Sequence, residues 1–136
     1  MYKIISSFFS KSSAYLSQCT EDEVLEVCFI GRSNVGKSSL INLLTNKKKL
    51  AKKSSTPGKT RLINFFDITF QNEDKENKDC RFVDLPGLGY AKVSKEMKKD
   101  WGQSIREFIE KRENIKVFVY LVDSRHRELE IDINSL

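Results

Sequence analysis

The stretch Gly31-Arg32-Ser33-Asn34-Val35-Gly36-Lys37-Ser38 matches the pattern G-x-x-x-x-G-K-S/T at every fixed position. An apolar-ending run, Val24 to Ile30, precedes it, and Ser38 to Leu44, carrying Leu40, Ile41, Leu43 and Leu44 without Gly or Pro, follows. Strand, glycine loop and helix in that order is the context in which such a loop binds phosphate. The glycines let the backbone curl with its amide N–H groups pointing inward, and those amides together with the helix N-terminus hold phosphate oxygens. Lys37 is then expected to reach the β- and γ-phosphates, and the Ser38 hydroxyl to ligate Mg²⁺.

The rest of the chain reads as layers around this loop. Ile4 to Phe9 is expected as a short strand, and 11–22 as polar and turn-like. Val24 to Ile30 predicts a strand that starts near the sheet edge and ends buried. Residues 45–61 lose apolar periodicity and contain Pro57-Gly58, predicting a long flexible segment rather than a packed element. Arg61 to Phe70 and Cys80 to Leu85 read as a hairpin closed by a long charged loop over 71–79. Ser94 is an N-cap candidate for a helix with Met97, Trp101, Ile105, Phe108 and Ile109 on one face. The run VFVYLV before Asp123 predicts a strand covered on both faces. Strand, helix, hairpin, helix and strand argue an α/β layered fold with a largely parallel sheet. The 136 residues suffice for one domain over 1–136.

Asp84-Leu85-Pro86-Gly87 ends the second hairpin strand. An acid there can hold a water on Mg²⁺, and Gly87 leaves its N–H free to approach a γ-phosphate. D-x-x-G alone is a weak signal; following a phosphate loop and a hairpin strand, it becomes a strong one.

Composition excludes several classes. With 39% hydrophobic and 32% charged residues, a soluble globular protein is the default. The three cysteines form no C-x-x-C pair, which argues against a disulfide framework or zinc site and for a reducing compartment. No apolar stretch approaches the length of a membrane span, and the serine-broken N-terminus does not read as a signal peptide, so the expectation is a cytoplasmic chain without membrane association. The net charge of +5 leans mildly toward an anionic partner.

The sequence resembles the EngB (YihA/YsxC) family of phosphate-loop GTPases in ribosome assembly. The stretches that carry the likeness are GRSNVGKSSLIN (31–42), TPGKTRLINFF (56–66), DLPGLGYAKV (84–93) and LVDSRH (121–126), with Trp101 between the last two. TPGKT followed by INFF, and GYAKV after D-x-x-G, are particular to it. The resemblance implies a three-layer Ras-like fold, mostly parallel with one antiparallel hairpin strand, and a monomer. It implies a GTP/GDP site formed by Gly31 to Ser39, Gly58, Lys59, Thr60, Arg61 and Leu62, and Asp84, Leu85, Pro86 and Gly87. The Mg²⁺ ligands it implies are Ser38, Thr60 and Asp84, where sequence alone does not choose between Thr56 and Thr60. The catalytic assignments are Lys37, Asn34 and Thr60. Segments 45–61 and 87–100 become two switches ordered by the γ-phosphate.

The partner it implies is a large-ribosomal-subunit precursor with its ribosomal RNA, and the process is growth, division and septation. Lys47, Lys48, Lys49, Lys52, Lys53, Lys59 and Arg61 crowd the first switch, and Lys92, Lys95, Lys98 and Lys99 the second, as a basic face for RNA or simply as solvated loops. Leu88 stands where many GTPases carry a water-orienting glutamine, so slow intrinsic hydrolysis is expected. Asn34 resembles the loop asparagine of potassium-activated GTPases; a K⁺ there would supply positive charge, and the alternative is a turn asparagine bonding its own loop. Family members continue to an N/T-K-x-D motif that reads guanine, so a chain ending at Leu136 is expected to be C-terminally truncated. Asn77-Lys78-Asp79 lies at the wrong spacing, in the charged hairpin loop, and does not replace it. Two other functions stand beside the leading one: an ATP-using phosphate-loop enzyme, for which no arginine-rich lid or acceptor site is evident, and a non-hydrolysing nucleotide-binding interaction domain.

Overall fold

In the computed structural model of the chain the described residues are 1–13, 18, 19, 22–31, 36–51, 62–85 and 95–122, the backbone alone for 95–101. They form β1 (Lys3–Ser13), β2 (Leu25–Gly31), α1 (Lys37–Thr45), β3 (Ile63–Gln71), β4 (Asn77–Asp84), α2 (Lys95–Lys111) and β5 (Ile115–Leu121). The strands make one five-stranded sheet in the order β1-β3-β4-β2-β5. β3 is antiparallel to both β1 and β4, while β2 is parallel to β4 and β5. Among the described strands β3 alone therefore runs against the others, the α/β arrangement expected.

Alternation along the strands builds a core on each face. On one side Phe29, Phe66, Ile68 and Phe82 pack with Ile41 of α1, the Phe29 and Phe82 rings meeting edge to face at 5.1 Å. On the other, Cys28, Ile30, Phe65, Val83 and Leu85 pack with Ile105 and Phe108 of α2. Full burial of a side chain such as Phe108 contributes roughly 1.5–3 kcal/mol. The expected helical face on α2 is present in Ile105, Phe108 and Ile109. The side chains of Met97 and Trp101, and Ser94 altogether, lie outside the described residues.

Several expectations are corrected. β1 does not stop at Phe9: it runs to Ser13, because the ladder with β3 continues to Ser13 opposite Ile63 and Ser12 Oγ donates to Asn64 Oδ1 at 2.6 Å. The hairpin loop is short. Asn77 to Asp79 belong to β4, opposite Gln71 to Thr69, and the connection closes on itself through Asn72, whose Oδ1 accepts from the Glu76 N–H at 2.9 Å while Lys75 takes a left-handed φ of 61°. Among the described residues β5 is not covered on both faces. It ends the strand order beside β2, and Val117 and Phe118 are about half exposed. Ala51, within the segment expected to be unpacked, is buried, and the Asn42 side chain grips it through both its amide groups, at 2.9 and 2.7 Å, while 46–49 are exposed.

β2 lies between β4 and β5, and its first acidic residue, Glu26, is fully buried. The apolar–acidic alternation suggested a strand starting near the sheet edge. Two arginines from other elements instead neutralise that position, Arg81 Nη1 and Arg112 Nη2 each donating to Glu26 Oε2 at 2.8 Å.

Candidate nucleotide site

The sheet register carries two distant segments to one place. β2 and β4 run parallel with Phe29 opposite Asp84, and the Leu85 N–H continues the ladder by donating to the Phe29 carbonyl at 3.2 Å. Both strands therefore finish together, just before the start of α1. Gly31 is the last residue of β2 and is buried. At the other end of the loop Gly36 caps α1 with φ 90° and ψ 20°, a left-handed conformation that favours glycine.

The N-terminus of α1 is left open. Among the described residues no side chain caps it and its first turn holds no acidic residue. The Gly36 carbonyl already accepts the first helical hydrogen bond, from Leu40 at 2.8 Å. Ser38 is partly buried in this first turn and Ser39 is exposed.

Lys37 turns its side chain back to the strand ends. Its Nζ stands 2.9 Å from Asp84 Oδ1 and donates a hydrogen bond to the Leu85 carbonyl. Both side chains are largely buried, 11% and 9% exposed. The contact with Asp84 is an ion pair without directed donation: Oδ1 is buried and, among the described residues, receives no hydrogen bond. It is an acceptor with its lone pairs unspent, beside an open helix N-terminus.

Among the sequence candidates, the structure gathers Gly31, Gly36, Lys37, Ser38, Asp84 and Leu85 at this end of the sheet, with Ser39 on the outer side of the turn. Leu62 is placed just before β3 and is 37% exposed. Arg32, Ser33, Asn34, Val35, Gly58, Lys59, Thr60, Arg61, Pro86 and Gly87 lie outside the described residues. Sequence reasoning missed the Leu85 carbonyl as a Lys37 acceptor and Asn42 as the clamp on 46–51. The first is a backbone group with no side-chain signature; the second could have been suspected from an asparagine inside a helix, where it is an indifferent helix former.

Comparison with known proteins agrees with this arrangement. Residues 26–136 match the family model described as 50S ribosome-binding GTPase. The chain is 54% identical over 132 residues to a protein of Campylobacter jejuni serotype O:6 named "Probable GTP-binding protein EngB", covering 96% of this chain and 66% of that one. It is 54% identical over 135 residues to the protein of the same name from Wolinella succinogenes, covering 99% and 67%, and 50% identical over 133 residues to that of Aliarcobacter butzleri, covering 96% and 66%. The chain thus spans about two thirds of the length of these relatives. With a family-model match over most of its length and half or more of the aligned residues identical to each of these proteins, the chain belongs to the 50S ribosome-binding GTPases, in the EngB family.

Proposed function

We propose that the protein is a GTP-binding and GTP-hydrolysing switch acting in assembly of the large ribosomal subunit, and through it in cell growth and division. The observation that carries this reading is the meeting of Lys37 and Asp84 at an uncapped helix N-terminus, in a chain of this family. In this reading the amides of Gly31 to Ser39 cradle the phosphates, and Lys37 neutralises the β- and γ-oxygens. The donor set fits Mg²⁺: the unspent Asp84 Oδ1 and the Ser38 hydroxyl are hard oxygen ligands, and Thr60 completes the set when GTP orders the first switch. The metal, when bound, screens the phosphate charge that grows during transfer.

What the chain itself does is bind, orient and neutralise. No glutamine follows Gly87, and Leu88 can neither donate to nor accept from the attacking water, so turnover without a stimulus is slow. K⁺ at Asn34 is one such stimulus and the ribosomal particle another. The lysines of the two switches present a basic face to ribosomal RNA. Among the described residues no helix is long and apolar enough to cross a membrane, and the reading is of a cytoplasmic monomer.

Two measurements test this. Lys37→Ala should raise the Kd for GTP by about tenfold to a hundredfold, the loss of a charge-assisted contact worth roughly 1.5–3 kcal/mol; an unchanged Kd refutes the site. Charge reversal at Lys52 and Lys53 should weaken binding to ribosomal particles and flatten its salt dependence. Binding indifferent to both would reduce these lysines to solvated loop residues. Competition between GTP and ATP separates the switch from an ATP-using enzyme.

A further inference from the structure

We infer that Asn42 is a positioning residue for GTP: its side chain pins the start of the segment carrying Thr60 to the helix that receives the phosphates. The inference deepens, and rests on, the reading of Thr60 as a metal ligand engaged only when GTP is bound. Asn42 lies on α1 five residues after Lys37, about 7.5 Å further along the helix axis. Its Nδ2 donates to the Ala51 carbonyl at 2.9 Å, and its Oδ1 accepts from the Ala51 N–H at 2.7 Å. One side chain thus satisfies both backbone groups of Ala51, as a neighbouring strand would. Nδ2 also reaches the Lys48 carbonyl at 3.3 Å, and the Asn42 carbonyl accepts from the Lys47 N–H at 2.9 Å. Ala51 is buried in the core with Ile41, Phe66 and Ile68, so it is seated against the sheet as well as against α1.

The consequence follows from chain connectivity. Thr60 lies between Ala51 and Ile63, and Ile63 is fixed in the β1–β3 ladder opposite Ser13. With Ala51 held, eleven residues, 52–62, join the two fixed ends. With Ala51 released, the free stretch begins after Thr45, at the end of α1, and counts seventeen residues, 46–62. Every added residue must be ordered before Thr60 can meet the metal, and that ordering is unfavourable. GDP makes no demand on Thr60, so the cost falls on GTP. The apparent affinity for GTP is then reduced by the fraction of molecules in which Ala51 is in place. A clamp that served folding alone would weaken both nucleotides alike.

The test measures the Kd for GDP and for a non-hydrolysable GTP analogue in Mg²⁺, well below Tm. It uses the full chain as wild type, Asn42→Ala, Thr60→Ala and the double variant. Asn42→Ala should keep the Kd for GDP within about twofold and weaken the analogue about fivefold, as when one molecule in five is competent. In the Thr60→Ala background the same change should weaken the analogue little further, because it acts through Thr60. Glu26→Ala, at the end of the sheet away from Lys37, controls for lost stability and should leave the ratio of the two constants unchanged. If Asn42→Ala does not fold, Asn42→Asp takes its place, keeping the acceptor for the Ala51 N–H and losing the donations to Ala51 and Lys48. An unchanged ratio in the Asn42 variant, additive losses in the double variant, or an equal loss in Glu26→Ala overturns the inference and leaves the reading of Thr60 standing. If Thr60→Ala itself keeps the wild-type ratio, that reading fails and the inference falls with it.

Discussion

Glu26 and Arg112, 86 residues apart in sequence, form a two-pronged pair inside the protein: Arg112 Nε donates to Glu26 Oε1 at 3.0 Å and Nη2 to Oε2 at 2.8 Å. Arg81 gives Glu26 its third donor, at Oε2, and reaches on to Asp22 and Asp67, at 2.7 and 3.4 Å. The network joins β2, β4 and the residue that follows α2 at the end of the sheet away from Lys37. The Arg112 guanidinium also lies over the Phe65 ring, 6.0 Å from its centroid.

Removing the shared acceptor strands the buried Arg112 guanidinium, while Arg81 keeps Asp22 and Asp67. Glu26→Ala should cost about 3–5 kcal/mol in urea unfolding, the scale expected when one partner of a buried pair is lost. Because Glu26 opens β2 and the phosphate loop closes it, the Kd for GDP of the folded fraction should stay within about twofold of wild type. A loss below about 1 kcal/mol would mean the network adds no net stability.

Asp22 gives acid sensitivity. The Arg81 guanidinium hydrogen-bonded to it holds its carboxyl below the usual carboxylate range, outweighing the opposing effect of burial. Its folded pKa lies under the unfolded value of about 3.9, so its contribution is complete above that value and disappears as pH falls through the folded pKa. Unfolding free energy measured from pH 6 to pH 2 should fall less steeply for Asp22→Asn than for wild type below about pH 4.

Thr60→Ala should leave GDP affinity near that of wild type and reduce the Mg²⁺-dependent preference for GTP analogues, since a switch threonine meets the metal only when a γ-phosphate is present. Fluorescent-nucleotide titrations of Thr60→Ala and Thr56→Ala in parallel decide the ligand; the pattern appearing in Thr56→Ala instead would move it.

For Asn34, GTP turnover is compared in potassium and sodium at matched ionic strength, with and without ribosomal particles. Stimulation by potassium that disappears in Asn34→Ala, with GDP affinity kept, assigns it as a cation ligand. Equal rates in the two salts reduce it to a loop-shaping residue and leave the stimulus to the ribosome.

The sequence by itself determined the elements around the phosphate loop. Glycine spacing, the following lysine and serine, and the D-x-x-G at a strand end are local signals, each set by what a few neighbouring residues can do with their backbone. Helical spacing likewise set Phe108 on one face with Ile105 and Ile109 before any partner was known, and it meets Phe65 with their ring centroids 6.2 Å apart. Tertiary structure alone decided the pairings that depend on register. The start of β2 read as lying near the sheet edge because the arginines that neutralise Glu26 lie 55 and 86 positions away and no periodicity encodes them. The same holds for Lys37, whose approach to Asp84 exists only because β2 and β4 lie side by side in parallel and end together. The length of β1 and the half-exposed face of β5 were also settled by neighbours in the sheet, since hydrogen-bond ladders and burial depend on what lies alongside a strand as much as on its own residues.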